Sequence, residues 1–450
     1  MNNKFFHHAL YFSKETCIGC THCMRVCPTQ AIRVRNGKAE LLPNRCIDCG
    51  ECYRVCPVDA VKVEQDDFNL IYNYKYRVVL IPGVFLGQFP EDINQQQIYS
   101  VLIELGFTHV CEVETGAEIL KSVMADYIDE NLHIRPMISS FCPAIVRLIQ
   151  VKFPSLVNHL IPLKQPLDIA GFYAKQLLIK QGAEQDEIGV FYITPCAAKI
   201  AAIKSPVGET QSVIDGVINI DFAYNKVLTI IRQSKSKKFP SAKESNLSPE
   251  SILWALTTGE SSVMRGRSLA IDGISNVIEF LEQLENEEMS NIDFLELRAC
   301  DESCAGGILT SSNRFFTSER LRNRAKSVQH PAERNENDIH NFREYLSKHF
   351  SIEKIKPRSM LKLDENIGSA LEKMKKVNEL MEILPYVDCG ICGSPTCQSL
   401  AEDTVRNETE ISRCIFIQRI LEQKGTFTNE ESVKIMKEIW GEGKLDKDLK

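Results

Sequence analysis

The cysteines are the residues of this 450-residue sequence best suited to chemistry. There are 17 of them, an odd number, and most stand in short clusters. Thiolates are soft ligands that suit iron–sulfur clusters and zinc. The N-terminal stretch MNNKFFHHALYF has no basic region leading into an apolar one, so no signal peptide is expected. Clustered cysteines in such a chain read as metal sites rather than disulfides, and a reducing cytoplasm is the expected location. Sixteen of the 17 fall into four sets of four. Cys111 is left over in the apolar stretch GFTHVCEV, where a buried structural thiol is expected.

Two sets form a tandem repeat. Cys17-Ile-Gly-Cys20-Thr-His-Cys23-Met-Arg-Val-Cys27-Pro28 is echoed by Cys46-Ile-Asp-Cys49-Gly-Glu-Cys52-Tyr-Arg-Val-Cys56-Pro57, and a short β-like stretch follows each copy. This is the spacing of bacterial two-cluster ferredoxins, in which the fourth cysteine of each run crosses to the other cluster. One 4Fe–4S cluster is therefore expected on Cys17, Cys20, Cys23 and Cys56, and a second on Cys46, Cys49, Cys52 and Cys27. Zinc is the competing metal, but zinc motifs rarely run in tandem copies of this form. Two adjacent clusters conduct electrons and perform no catalysis by themselves. A third set, Cys389, Cys392 and Cys397 followed by Cys414, has a different spacing. It resembles the small 4Fe–4S domain of corrinoid iron–sulfur proteins and of an electron-transport-complex subunit. The resemblance implies a third accessory 4Fe–4S cluster in a separate fold unit, as an electron port or redox sensor, with zinc again the alternative.

The fourth set is dispersed. Ser139-Ser140-Phe141-Cys142-Pro143, Thr194-Pro195-Cys196-Ala197-Ala198-Lys199 and Glu296-Leu297-Arg298-Ala299-Cys300-Asp301-Glu302-Ser303-Cys304-Ala305-Gly306-Gly307 each follow a strand-like stretch. Ligands gather at the carboxyl ends of strands in open α/β sheets. Pro143 suits a first helical turn, and a helix N-terminus favours an anionic cluster. Convergence of Cys142, Cys196, Cys300 and Cys304 on one cluster is one reading of the spacing. Four separately buried thiols are the other.

These three segments resemble, in order, the three signature motifs of iron-only (FeFe) hydrogenases: T-S-C-C-P, M-P-C-x-x-K-x-x-E and E-x-M-A-C-x-x-G-C-x-x-G-G. The stretch Ile81-Pro82-Gly83-Val84 resembles the strand that family places beside its active site. The resemblance spans roughly residues 75 to 320. It implies that Cys142, Cys196, Cys300 and Cys304 hold the 4Fe–4S half of an H-cluster. Cys304 would bridge to a two-iron half carrying carbon monoxide, cyanide and a bridging dithiolate. Lys199 would donate to one iron-bound cyanide, and the Pro82–Gly83 backbone would lie near the other. The plain alternative for Lys199 is a helix-surface lysine.

Several positions depart from the family pattern. Phe141 stands where the family has its proton-delivering cysteine, and Ala202 where the second motif ends in glutamate. Thr194 and Arg298 replace motif methionines. A proton relay needs titratable groups within hydrogen-bond reach, and here the usual relay is broken at two points. Glu296, Asp301 and Glu302 are candidates for a substitute route, or else solvated loop acids. The resemblance thus implies a slow, sensory hydrogenase acting on H2 and protons. Its electrons would pass to ferredoxin or another redox or signalling protein, and hydrogenase maturation proteins would build the two-iron unit. Two other readings remain: a metabolic ferredoxin-linked hydrogenase with an unusual proton path, and a non-catalytic hydrogenase-like iron–sulfur protein lacking the two-iron subcluster.

The elements that must position these residues follow from periodicity. RVVLIPG, THVCEVE, HIRPMIS, EIGVFYI and IDFLELR read as buried strands, and IYSVLIEL and GISNVIEFLEQL as helices between them. That alternation predicts an α/β core with a largely parallel sheet, within a chain that is α+β overall. Three domains are expected: 1–72, two-cluster ferredoxin-like; 73–360, the α/β H-cluster domain; and 361–450, a linker helix with a small, mostly helical 4Fe–4S domain. SKSKKFPSAKESNLSPE and HPAERNENDIHN read as exposed loops, and GEGKLDKDLK as a solvated tail. The net charge of −7 and the absence of a basic stripe argue against a nucleic-acid partner. No apolar run approaches the ~18 residues of a membrane span.

Overall fold

The computed structural model describes residues 6–131, 133–233, 247–286, 291–328, 345, 348–358, 363–364 and 366–445. HPAERNENDIHN and the end of the C-terminal tail lie outside these residues, as does most of SKSKKFPSAKESNLSPE. The chain forms two compact units, one of Leu10–Val63 with Arg358–Lys450, the other of Met1–Ala9 with Glu64–Pro357. The first and third expected segments therefore fold together, and the C-terminal cysteines do not form the separate fold unit expected of them.

The cysteine repeat occupies the first part of the smaller unit. Strand β1 (Leu10–Phe12) pairs antiparallel with β4 (Val61–Val63), and β2 (Ile32–Arg35) with β3 (Lys38–Leu41). The β2–β3 hairpin turns on Asn36 and Gly37, both at positive φ, the pairing that a two-residue type I′ turn demands. Two short helices, α1 (His22–Val26) and α2 (Glu51–Arg54), carry the middle of each cysteine run. Each is preceded by a left-handed residue, Thr21 or Gly50.

The larger unit holds two parallel sheets rather than one. In the first, the order is β6 (His109–Glu112), β5 (Tyr76–Ile81), β8 (Ile188–Thr194), β9 (Gly216–Asn219). All seven residues of β8 are buried, as are Val78 to Ile81 of β5, the continuous apolar run of a central parallel strand. The second sheet runs β10 (Ser268–Ile271), β11 (Phe294–Leu297), β7 (Met137–Ile138). The expected strand HIRPMIS shortens to two residues because Pro136 cannot donate to a ladder. The helices of this unit are α3 (Gly83–Leu86), α4 (Gln95–Glu104), α5 (Glu114–Glu130), α6 (Pro143–Lys152), α7 (Pro166–Lys180), α8 (Ala197–Lys204), α9 (Ile220–Gln233), α10 (Pro249–Leu253), α11 (Ile274–Glu285) and α12 (Arg314–Ser327). Helices α7 and α9 pack on the first sheet, with α5 against α7 and α4 against α9.

The C-terminal part of the smaller unit contributes α13 (Ile367–Ile383), α14 (Cys397–Val405), α15 (Ile415–Gln423) and α16 (Asn429–Trp440). It is stitched to the cysteine repeat by main chain and by charge. Val34 N–H donates to Gly393 O at 2.8 Å, and Asn36 and Gly37 N–H donate to Glu438 and Ile439 O at 2.9 Å. Arg33 on β2 grips Asp403 on α14 through two hydrogen bonds of 2.5 and 2.9 Å, and Arg45 pairs with Glu402. Arg33 and Asp403 are both buried, so each charge is compensated only by the other segment. Among the described residues, no helix is long and apolar enough to cross a membrane.

Candidate metal centres and the cavity beside Cys304

In the cysteine repeat, the two runs exchange their fourth members. Burial pushes the Cys23 thiol up to about 12, and neighbouring Cys20, Cys17 and Cys56 add to the rise. Cys46, Cys49 and Cys52 are raised chiefly by burial, and Cys27 contributes to all three. The grouping matches the crossed ferredoxin pattern. Backbone N–H groups already point at sulfur: Ala31 to Cys27 at 3.2 Å, Ala60 to Cys56 at 3.1 Å, and Ala39 to Cys17 at 3.4 Å. Buried thiols that resist ionisation, gathered around N–H donors, suit a cation that deprotonates them on binding. The C-terminal set is gathered likewise: Cys392, Cys397 and Cys414 share one core cluster, and Cys389 acts electrostatically on both Cys392 and Cys414. Cys111 stands apart in β6, partly buried, its thiol raised by burial to about 12.

Every element of the central site follows the carboxyl end of a parallel strand. β7 runs into Ser139–Cys142, and Cys142 caps α6 with Pro143 in the first turn. β8 runs into Pro195 and Cys196, which caps α8. β11 runs into Arg298 and the loop from Cys300 to Cys304, closed by the short 3-10 turn Ser303–Gly306. β5 runs into Pro82 and Gly83. In that last-but-one loop, Glu302 and Ser303 both have positive φ, 58° and 53°. Non-glycine residues are strained there, and Ser303 occupies the position where the hydrogenase motif carries glycine.

This placement brings Cys142, Cys196 and Cys304 into mutual electrostatic reach, with Cys300 opening the same loop as Cys304. Lys199 sits one turn into α8 from Cys196, and its Nζ lies 3.4 Å from Cys304 Sγ. The lysine is only 5% exposed, so it is not a helix-surface lysine. Burial alone would discharge it, but Cys304, Tyr192, Cys196 and Cys142 hold its pKa above the ordinary value.

A small cavity opens beside Cys304, lined among others by Pro82, Glu114, Phe141, Tyr192, Lys199 and Trp254. Three buried polar atoms on these residues have no hydrogen-bond partner among the described residues: Tyr192 Oη, Trp254 Nε1 and Glu114 Oε2. Orphaned buried donors are rare, and a cluster of them around one cavity calls for a polar occupant. Two N–H or O–H donors and a lysine beside a cysteine suit a group that presents small anionic acceptors, as the cyanide-bearing two-iron unit does. The residues fit that group, with one qualification at Gly83, whose N–H donates to Glu114 Oε1 at 2.6 Å.

Two of the departures from the motifs, Phe141 and Arg298, meet in space. The Phe141 ring lies 3.9 Å from the Arg298 guanidinium carbon and 4.7 Å from Lys199 Nζ, measured to its centroid. Arg298 pairs with Glu260 at 2.8 Å and with Glu296 at 3.4 Å, all three buried. Ser139 Oγ donates to Glu260 at 2.7 Å, and the N–H groups of Glu260 and Ser261 donate to Glu296. Burial lifts the Glu260 carboxyl to about 7, against the pull of Arg298. Of the three substitute-route acids, Glu296 belongs to this network. Asp301 pairs instead with Arg314 and Glu302 with Arg322, both more exposed arginines. Ala202 lines a different cavity, with Lys164 and Asp168. Thr194 Oγ1 donates to Cys196 O at 3.0 Å and so braces the cysteine turn. Glu114, Tyr192, Trp254 and Glu260 went unmarked by sequence. The one available signal was the pair of acids, Glu112 and Glu114, at the end of the strand-like stretch THVCEVE.

Residues 75–246 match the family model "Iron only hydrogenase large subunit, C-terminal domain". Residues 9–57 match a 4Fe-4S dicluster domain, and residues 384–416 an Fe-S cluster family. Iron hydrogenase 1 of Clostridium pasteurianum is 28% identical over 153 residues, 33% of this chain and 25% of that protein. The chain thus matches about a quarter of that relative's length. Two variants of the FeFe hydrogenase HydA1 from Chlamydomonas reinhardtii are similar in structure. They give TM-scores of 0.45 and 0.46 at 14% and 15% identity, covering 63% of this chain and 94% of theirs. Residues 75–246 thus match the iron-only hydrogenase domain family, within an FeFe-hydrogenase-like iron–sulfur protein that has a segment matching a 4Fe–4S dicluster domain before that region and one matching an Fe–S cluster family after it.

Proposed function

We propose that this protein is a slow, sensory iron-only hydrogenase that interconverts H2 with protons and electrons. Its H-cluster would be held by Cys142, Cys196, Cys300 and Cys304. The observation that carries this reading is a buried lysine 3.4 Å from Cys304 on a cavity with three orphaned polar atoms. When bound, the cluster supplies the redox chemistry of H2. Lys199, Tyr192 and Trp254 orient its small anionic ligands by donation, and Pro82, Phe141 and Ala117 exclude water. Phe141 keeps a proton-carrying side chain from its position, which supports a low rate. The cysteine repeat and the C-terminal set would carry three accessory 4Fe–4S clusters as the electron path. A ferredoxin or signalling partner, maturation proteins and a cytoplasmic location belong to the same reading.

The experiment is H2 evolution from reduced viologen by anaerobically matured protein. The expected outcome is measurable turnover that stays at least about a hundredfold below that of a hydrogenase with an intact relay. Turnover as fast as such an enzyme overturns the sensory assignment. A second reading, a hydrogenase-like protein with the four-iron cube alone, is favoured by the Gly83 N–H, which Glu114 already occupies.

A further inference from the structure

One acid in the cavity belongs to no motif. Glu114 opens α5 directly after β6 and is 2% exposed. Its Oε1 accepts the Gly83 N–H, while its Oε2 has no hydrogen-bond partner among the described residues. It lines the same cavity as Lys199, Tyr192 and Cys304. The groups that face it come from every side: Glu112 at the end of β6, Arg324 on α12, Tyr192 on β8, Lys199 on α8 and Cys304 after β11. Burial, with the charge of Glu112 second, lifts its carboxyl to about 7; the Gly83 N–H, its own N–H and Arg324 oppose the rise.

Glu112, whose charge acts on this acid, is tied to a surface pocket. It is 2% exposed and salt-bridged to Arg324 at 2.7 Å. Tyr99 Oη donates to it at 2.7 Å and Gln95 Nε2 at 3.0 Å, and Gln95 also donates to Tyr99 Oη at 2.7 Å. Gln95 and Arg324 then line a separate, wider pocket at the surface with Leu86, Pro90 and Arg320. A hydrogen-bonded set of polar side chains therefore runs from Glu112, which acts on Glu114 through its charge, to the wall of the surface pocket.

We propose that Glu114 is the proton-exchanging acid of the Cys304 cavity, in place of the group that Phe141 displaces, and that the Glu112, Tyr99, Gln95 and Arg324 network passes the proton to and from the surface pocket. The inference rests on the hydrogenase reading. In H2 oxidation each proton released in the cavity forms an O–H bond on the Glu114 carboxylate. That bond breaks as the proton moves on to the Glu112 network, while the electrons leave separately through the clusters. Proton reduction runs the same transfers backwards. Glu260 has a similarly raised pKa but faces Arg298 and Ser139, and it is not among the residues lining the cavity.

Infrared difference spectroscopy on the full-length protein tests this with two readouts in one sample. The first is the carboxylic-acid carbonyl region, followed across pH without the two-iron unit. The expected result is a band that disappears as pH rises through about 7. It should be absent in Glu114→Gln, and its midpoint should fall in Glu112→Gln, which removes the neighbouring negative charge. The second is the iron-bound carbon monoxide and cyanide region of matured protein. There Glu114→Gln should keep its bands while H2 turnover drops about a hundredfold or more. The inference is overturned by a carbonyl band indifferent to Glu114→Gln, by a midpoint that does not move in Glu112→Gln, or by unchanged turnover in matured Glu114→Gln. A titrating Glu114 band in wild-type protein that never gains carbon monoxide and cyanide bands overturns the hydrogenase reading instead, and with it the acid's role.

Discussion

Phe141 and Arg298 depart from the motifs in two different segments, yet the guanidinium lies against the ring at 3.9 Å. An arginine buried at this depth needs compensation, and Glu260, Glu296 and the ring face supply it. The two departures are thus one structural arrangement: a small thiol at 141 would leave the guanidinium without its ring. A double-mutant cycle of Phe141→Leu and Arg298→Met, read by chemical denaturation of anaerobic protein, should give a coupling of about 1 to 2 kcal/mol. Strictly additive losses would contradict the arrangement. Sequence marked both positions by their departure but not their contact, which only the side-by-side parallel pairing of β7 and β11 produces. Tyr192 and Trp254 were invisible for another reason. A buried aromatic on a cavity wall has the same pattern as one in a core, and only its unpartnered polar atom separates the two.

Strand ends decide where the chemistry lies. The apolar runs of β5, β8 and β11 were legible because fully buried parallel strands lack polar alternation, and cysteine turns follow β8 and β11 directly. β9 and β10 were not legible, since Gly216 and Asn219 bound β9 with turn-type residues and β10 is only partly buried, so neither shows a continuous apolar run. The pairing of β2 with α14 was also hidden. Arg33 and Asp403 look like ordinary surface charges in sequence and become a buried pair only when the chain ends meet. Removing one partner leaves the other charged and desolvated, so Asp403→Ala should destabilise the smaller unit by about 3 to 5 kcal/mol. Denaturation of the reconstituted protein checks this, and a loss under about 1 kcal/mol would mean that the pair does not hold the two segments together.

At the scale of the whole molecule, the 17 cysteines are divided between two compact units. The smaller unit holds twelve of them: the tandem repeat and the C-terminal set, expected to be separate domains, fold as one body. The larger unit holds the dispersed set, with Lys199 and the orphaned atoms around Cys304. That division separates electron-carrying motifs from the candidate catalytic centre, a fold-level arrangement legible in the cysteine spacing even though the joining of the chain ends was not. The central claim is that the larger unit holds a two-iron unit bearing carbon monoxide and cyanide. Infrared spectroscopy of the anaerobically matured protein tests it most directly. The account predicts bands of iron-bound carbon monoxide and cyanide, with the cyanide bands shifted in Lys199→Met. Iron analysis consistent with four 4Fe–4S clusters and no such bands would contradict it.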